Sequence, residues 1–338
     1  VTPTFSPTSS PAFGTPSSPI LSMRSLSVSF ARREADIRAV QQVSLDVAPR
    51  ECVGLVGESG SGKTQLFMAA MGLLPSNATS SGSVRFEGEE LLAADARRLN
   101  RFRGSKLTMI FQDPMTSLTP HLQIGTQLAE VLVCHADQSW SEARKAARHM
   151  LDRVRVPEAI RRFDQYPHEL SGGLRQRVMI AMSLLCEPRL VIADEPTTAL
   201  DVTIQAEIIE LLRAMRSEVG MALVLISHDL AVVAGLADRI LVMYAGRIVE
   251  SGATAELLWH PRHPYTAELI NCIPRLSGPR LERLPTLAGQ PPQPGDSIEG
   301  CAFAPRCPRA ADRCRSERPP LQDISRGAQV ACHFPLSA

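Results

Sequence analysis

Cys52-Val53-Gly54-Leu55-Val56 runs directly into Gly57-Glu58-Ser59-Gly60-Ser61-Gly62-Lys63-Thr64. The first five residues read as a short buried strand. The next eight fit a glycine-rich loop that opens a helix near Lys63. The glycines let backbone amides turn inward around an anion. Lys63 then offers a point charge to β- and γ-phosphates, the Thr64 hydroxyl is a ligand for Mg²⁺, and the helix N-terminus adds its positive end. A turn that merely joins strand to helix is the alternative, and the full spacing with both flanks in place argues against it. Gly57, Ser59, Gly60, Ser61, Gly62, Lys63 and Thr64 are therefore the candidate nucleotide-binding residues.

Such a loop needs a carboxylate that reaches the metal from a neighbouring strand. Leu190-Val191-Ile192-Ala193-Asp194-Glu195 provides one. Asp194 is expected to hold Mg²⁺ through water, and Glu195 to accept a proton from the attacking water or orient it. Around these two segments, short β-branched runs alternate with longer amphipathic stretches from Leu21 to about Ala255, the pattern of a layered α/β domain. Strands are expected at Cys52 to Val56, Leu107 to Phe111, Leu190 to Ala193, Ala222 to Ile226 and Ile240 to Tyr244. Leu26 to Phe30 and Val40 to Val47 read as antiparallel strands beside them. Between about 116 and 175 the strand signals give way to Ala, Arg, Glu and Leu, with Ser139 and Ser141 as candidate caps near Glu142, which predicts an inserted helical subdomain.

Composition narrows the class. Of 338 residues, 36 are Lys or Arg and 35 are Asp or Glu, so no basic surface for nucleic acid is indicated. The apolar stretches Val178 to Cys186 and Met221 to Ile226 fall short of the roughly 20 residues that span a bilayer, so membrane association has to run through partners. Residues 1–20 are rich in Ser, Thr and Pro without Lys or Arg. They read as a disordered tail rather than a secretory signal, and Met23 is a candidate start. After Gly252, Pro, Arg and Cys dominate and periodicity fades, which predicts a separate C-terminal module over 256–338.

A third motif specifies the kind of ATPase. Leu170-Ser171-Gly172-Gly173-Leu174-Arg175-Gln176 resembles the signature sequence of ABC ATPases. Ser171 and the Gly172 and Gly173 amides at a helix start form a second anion site. The resemblance implies that Ser171, Gly172, Gly173 and Gln176 meet a nucleotide held on another subunit's phosphate loop, so hydrolysis requires a head-to-tail pair. Further markers follow in the family's order. Gln112 looks like the Q-loop residue that senses Mg²⁺ and touches the transmembrane partner. Asp201 in Thr198-Ala199-Leu200-Asp201 looks like the D-loop aspartate that crosses the dimer interface. His228 matches the switch histidine at the γ-phosphate, and Phe30 aligns with the aromatic that stacks on adenine, where Tyr is more usual. The implied fold is a P-loop ABC-type ATPase domain over 21–255, a mixed sheet with an antiparallel β subdomain and the helical insertion.

His260-Pro261-Arg262-His263-Pro264-Tyr265-Thr266, with Gly300-Cys301, Pro305-Arg306-Cys307-Pro308, Cys314 and Cys332, resembles the C-terminal extension of ATPase subunits in the dipeptide, oligopeptide and nickel import group. His263, Pro264 and Tyr265 carry no catalytic role from that resemblance and are expected to pack in the core or a hinge. Cys301, Cys307, Cys314 and Cys332 are separated by five, six and seventeen residues, unlike paired zinc knuckles. The resemblance implies a [4Fe-4S] cluster on these four, of structural use. Zinc with His333 as a spare ligand, or free thiols, are the other readings. Cys52, Cys134, Cys186 and Cys272 are scattered and expected to be small buried hydrophobes.

The partners so implied are two transmembrane permease subunits, a second and different ATPase subunit, and an extracytoplasmic peptide-binding protein, with the chain peripheral at the cytoplasmic face of the membrane. Import of nickel or another metal chelate is the runner-up. A soluble ABC protein of translation or DNA repair usually carries two cassettes or a long coiled-coil insertion, and neither is seen here. An iron–sulfur regulator that uses ATP only as a signal would not need Glu195 and His228.

Overall fold

The computed structural model describes residues 18–32, 36–113, 117–198, 200–273, 286–293, 295–296, 298–324 and 327–337. The expected tail lies mostly outside them. Its last residue, Ile20, is buried and donates its amide to Val47 O at 2.8 Å, so packed structure begins ahead of Leu21.

In chain order the strands are β1 (Leu21–Phe30), β2 (Ile37–Val47), β3 (Cys52–Val56), β4 (Ala78–Phe86), β5 (Glu89–Glu90), β6 (Leu107–Ile110), β7 (Leu190–Asp194), β8 (Ala222–Ser227), β9 (Arg239–Tyr244), β10 (Arg247–Ala253), β11 (Gln322–Asp323) and β12 (Gln329–Val330). An antiparallel sheet takes the order β2-β1-β4-β5, and a mixed sheet the order β11-β12-β10-β9-β3-β8-β7-β6. The five strands expected in the mixed sheet are present within a residue at each end. The antiparallel pair is longer than expected, because β1 starts at Leu21 and β2 at Ile37.

The alternation of side chains along a strand sends successive residues to opposite faces. In the central strands Cys52, Val191, Ala193, Leu223 and Leu225 join one apolar cluster, while Val53, Leu55, Ile192, Val224 and Ile226 join a second. Both faces are covered, which is why these strands are apolar throughout rather than alternating. Burying each large side chain contributes about 1.5–3 kcal/mol. β9-β3, β3-β8, β8-β7 and β7-β6 pair in parallel. The carboxyl ends of β3, β8, β7 and β6 therefore stand side by side, where open α/β sheets receive ligands.

Between β6 and the helix Gly172–Leu184 lie helices Ile124–Ala136, Trp140–Arg153 and Ala159–Phe163. Ser139 caps the second of these. Its hydroxyl accepts from Glu142 N at 3.3 Å, and the Glu142 carboxylate accepts from Ser139 N at 3.1 Å, a reciprocal capping box that leaves Ser141 inside the first turn. Phe163 is fully buried with the guanidinium groups of Arg144 and Arg148 at 4.8 and 4.7 Å from its ring centre.

The C-terminal residues are not packed separately from the α/β core. β12 pairs with β10 through Glu250 and Val330 and so extends the mixed sheet. Tyr265, on the helix Pro264–Asn271, and Phe303 are both buried against Tyr244 of β9, with ring centres 4.6 and 5.4 Å away. Three large aromatics need one shared core to be buried. Among the described residues no helix is long and apolar enough to cross a membrane.

Candidate active site

The loop between β3 and the helix Lys63–Ala70 requires glycine where the chain passes close to its neighbours. A Cβ on Gly57 would stand 2.1 Å from Met243 O. Gly62 has a φ of +99°, and a Cβ there would stand 2.2 Å from Ala39 O. Lys63 is buried, and its ammonium donates to Gly57 O at 2.7 Å and Glu58 O at 3.0 Å. Burial lowers its pKa, against the pull of the carboxylates of Glu195, Asp194 and Glu58.

Asp194 ends β7 and is 2% exposed. Burial raises its pKa, while a hydrogen bond from the Thr64 side chain works the other way. Its Oδ1 has no hydrogen-bond partner among the described residues. A buried carboxylate oxygen of that kind calls for a ligand, and together with the Thr64 hydroxyl it is the oxygen donor set that suits Mg²⁺.

Glu195 follows with φ +46°, an uncommon left-handed conformation for a residue with a side chain. Its amide is anchored to Ile226 O at 2.9 Å. Its carboxylate accepts from Gln112 Nε2 at 3.0 Å and Thr198 Oγ1 at 2.8 Å, and lies 3.2 Å from His228 Nδ1. Backbone strain of this kind costs about 1–3 kcal/mol and persists where surrounding structure fixes it. Here four strand ends converge, with the phosphate loop after β3, Gln112 after β6, Glu195 after β7 and His228 after β8. Thr198 lies three residues from Glu195 in the sequence, where the resemblance marks it only as part of the D-loop.

These residues border an open groove of about 1080 Å³ lined by Phe30, Ser59 through Thr64, Gln112, Glu195, Thr198 and His228, with Gln293, Asp296 and Arg318 of the C-terminal region on another side. Ser171, Gly172, Gly173, Gln176 and Asp201 are not among its lining residues. Ser171 caps the helix Gly172–Leu184, accepting from Leu174 N at 3.4 Å. Asp201 caps Val202–Val219, accepting from Ile204 N at 3.0 Å. Both caps are exposed. Gly173 faces Ile204, whose Cγ2 would stand 3.0 Å from a Cβ on it, so the two motifs lie together on one surface. Gln176 is 2% exposed on the inward face of its helix, and its amide nitrogen is without a partner among the described residues.

Cys301, Cys307, Cys314 and Cys332 line one small pocket, walled by His263, Pro264, Phe303, His333 and Phe334. Burial raises the pKa of Cys301, Cys307 and Cys332, the last to about 11, and their mutual proximity adds to it. Backbone groups of Phe303 and Ala304 oppose the shift at Cys301, those of Arg309 at Cys307 and of Phe334 at Cys332, the effect of amides directed at sulfur. Among the described residues no group of three or more His, Cys, Asp and Glu is arranged to hold a metal ion. His333 Nε2 is engaged with Glu317 O at 3.0 Å. That bond occupies one ring nitrogen and leaves Nδ1 for a metal, so zinc with a spare histidine is in the same position as the cluster. The iron–sulfur expectation gains no ready ion site and keeps only a matching donor type, number and convergence. Cys52 is buried and Cys186 and Cys272 partly so, but Cys134 is exposed. It lies off the stripe formed by Ile124, Leu128 and Leu132, which faces the core.

A phosphate loop, a buried aspartate and a strained glutamate at adjacent strand ends define a P-loop nucleotide hydrolase of the cassette type. The family described as ABC transporter matches residues 40–198, and that described as oligopeptide/dipeptide transporter, C-terminal region, matches residues 249–314. The chain is 48% identical over 321 residues to the oligopeptide transport ATP-binding protein OppD of Salmonella typhimurium, covering 95% of each. It is 46% identical to the dipeptide transport ATP-binding protein DppD of Escherichia coli, covering 94% of this chain and 97% of that one. The dimeric ATP-binding cassette MJ0796 in a post-hydrolysis state with ADP and Pi superposes with a TM-score of 0.62 at 28% identity, covering 69% of this chain and 98% of that one. The chain belongs to the ABC transporter ATPase family.

Proposed function

We propose that this chain binds and hydrolyses ATP to energise import of oligopeptides or dipeptides across the cell membrane. The observation that carries the reading is the gathering of Lys63, Glu195, Gln112 and His228 in one groove, on a chain whose C-terminal region matches that of oligopeptide/dipeptide transporters. The names of the OppD and DppD relatives support the same solute class. In this reading the loop amides and Lys63 bind the phosphates, and Phe30 at the groove's rim stacks on adenine. Glu195, held by Gln112, Thr198 and His228, takes the proton of the attacking water. Thr64, Asp194 and Gln112 would hold Mg²⁺, which would supply charge neutralisation at the phosphates.

Ser171, Gly172 and Gly173, with Gln176 behind them, complete the nucleotide site of a partner ATPase subunit, and Asp201 crosses the same interface. Their exposed surface away from this chain's own groove supports that, as does the dimeric state of MJ0796. Swinging such a pair from mostly open to mostly closed takes about 5 kcal/mol of differential binding, within reach of several charge-assisted hydrogen bonds per nucleotide. The partners are two transmembrane permeases, a second ATPase that makes a heterodimer, and an extracytoplasmic peptide-binding protein, with no nucleic acid. The chain sits at the cytoplasmic face of the membrane, docked through the surface around Gln112.

The experiment is reconstitution of this chain with its permeases and binding protein in proteoliposomes. Short peptides are expected to stimulate ATP hydrolysis and to accumulate. Stimulation by a nickel chelate and none by peptides would reverse the solute assignment.

The four cysteines are proposed to take a [4Fe-4S] cluster as a structural staple, each supplying one thiolate. Anaerobically purified protein is expected to contain iron and inorganic sulfide in equal amounts, and both are expected to fall in Cys307→Ser. Protein with neither, after cluster reconstitution as well, would leave zinc, if it is present in stoichiometric amount, or free thiols as the state of the set.

A further inference from the structure

The phosphate loop is gripped from outside the ATPase motifs. Arg306, between Cys301 and Cys307, reaches back to Glu58, the first variable residue of the loop. Its Nη1 and Nη2 donate to the two carboxylate oxygens at 2.7 and 2.9 Å. The Arg306 side chain is 3% exposed and that of Glu58 26%, so this is a bidentate pair largely shielded from water. Arg306 is itself fixed, donating Nε to Ala288 O at 2.9 Å and Nη1 to the Tyr244 hydroxyl at 3.2 Å. The Glu58 amide donates to the Tyr265 hydroxyl at 3.0 Å, and the Glu58 carbonyl accepts from Lys63 Nζ at 3.0 Å. Residue 58 is thus tied at its side chain and amide to the C-terminal region, and at its carbonyl to the phosphate-binding lysine.

We infer that Arg306 is a positioning residue for nucleotide binding: through Glu58 it sets the path of the phosphate loop and the place of Lys63. The cysteine-bearing region is then a working part of the ATP site. The inference rests on the ATPase reading. Removing the guanidinium does two things, since it frees the loop's outer turn and leaves the Glu58 carboxylate unpaired beside the ground where phosphates bind. Losing one charge-assisted hydrogen bond to the phosphates corresponds to roughly 10- to 100-fold in affinity.

The test is ATP affinity of the full-length protein, measured by equilibrium titration, in a double-mutant cycle. Arg306→Ala is expected to bind ATP roughly 10- to 100-fold more weakly. In the Glu58→Gln background, where no carboxylate is left unpaired, Arg306→Ala is expected to cost much less. Should Arg306→Ala fail to fold, Arg306→Lys replaces it in the same cycle, keeping the charge and losing the fork. Equal losses in the two backgrounds would make Arg306 a packing residue only, and unchanged affinity would remove it from the site. Lys63→Ala, run alongside, separates the two levels. If that variant binds ATP normally the ATPase reading fails. If it loses ATP while Arg306→Ala does not, only the present inference fails.

Discussion

Glu195→Gln is expected to retain ATP binding and to lose roughly 100- to 10,000-fold in turnover, the usual range for a general base. The amide has nearly the shape of the carboxylate. Its oxygen can still accept from Gln112 Nε2 and Thr198 Oγ1, now at 3.0 and 2.8 Å from Oε2, and its nitrogen can donate to His228 Nδ1, which stands 3.2 Å from Oε1. The backbone at φ +46° is held by the bond to Ile226 O, and the substitution does not touch it. Only the capacity to take up a proton disappears. Phosphate release under saturating ATP, measured beside equilibrium ATP binding, reads both halves. Hydrolysis at the wild-type rate would falsify the assignment of the base to Glu195.

Lys63→Ala acts earlier, on binding. The ammonium makes two short bonds to the loop's own carbonyls, at 2.7 and 3.0 Å, and a phosphate has to draw at least one of them away. Hydrogen bonds to charged groups are worth about 1.5–3 kcal/mol each. Two such bonds to phosphate oxygens correspond to a loss of roughly 100-fold or more in affinity. Alanine also removes a cation that interacts with the carboxylates of Asp194 and Glu195, and so leaves two carboxylates, the first of them buried, facing an incoming anion, which adds to the loss. Titration with ATP in the presence of Mg²⁺ measures it. Binding indistinguishable from wild type would move the phosphate site elsewhere.

Much of the mixed sheet could be read in advance because its strands are buried on both faces and bounded by polar residues that do chemistry. β4 could not. Its sequence, Ala-Thr-Ser-Ser-Gly-Ser-Val-Arg-Phe, buries little beyond Val84 and Phe86 and owes its strand to pairing with β1. β12 is likewise a strand of circumstance, only two residues long. The site was legible where chemistry fixes spacing within one stretch, as in Gly57 to Thr64. It was not legible where partners lie far apart. Glu58 and Arg306 are 248 positions apart, and neither residue has a local pattern that names the other. Gln176 shows the opposite limit, since its neighbours in the motif are at the surface while it is buried.

That separation has a consequence for synthesis. On the ribosome Glu58 is made 248 positions ahead of its clasp, Arg306. A nascent chain therefore carries an unclasped loop while the intervening residues are synthesised, and the loop can take its final support only once Arg306 has emerged.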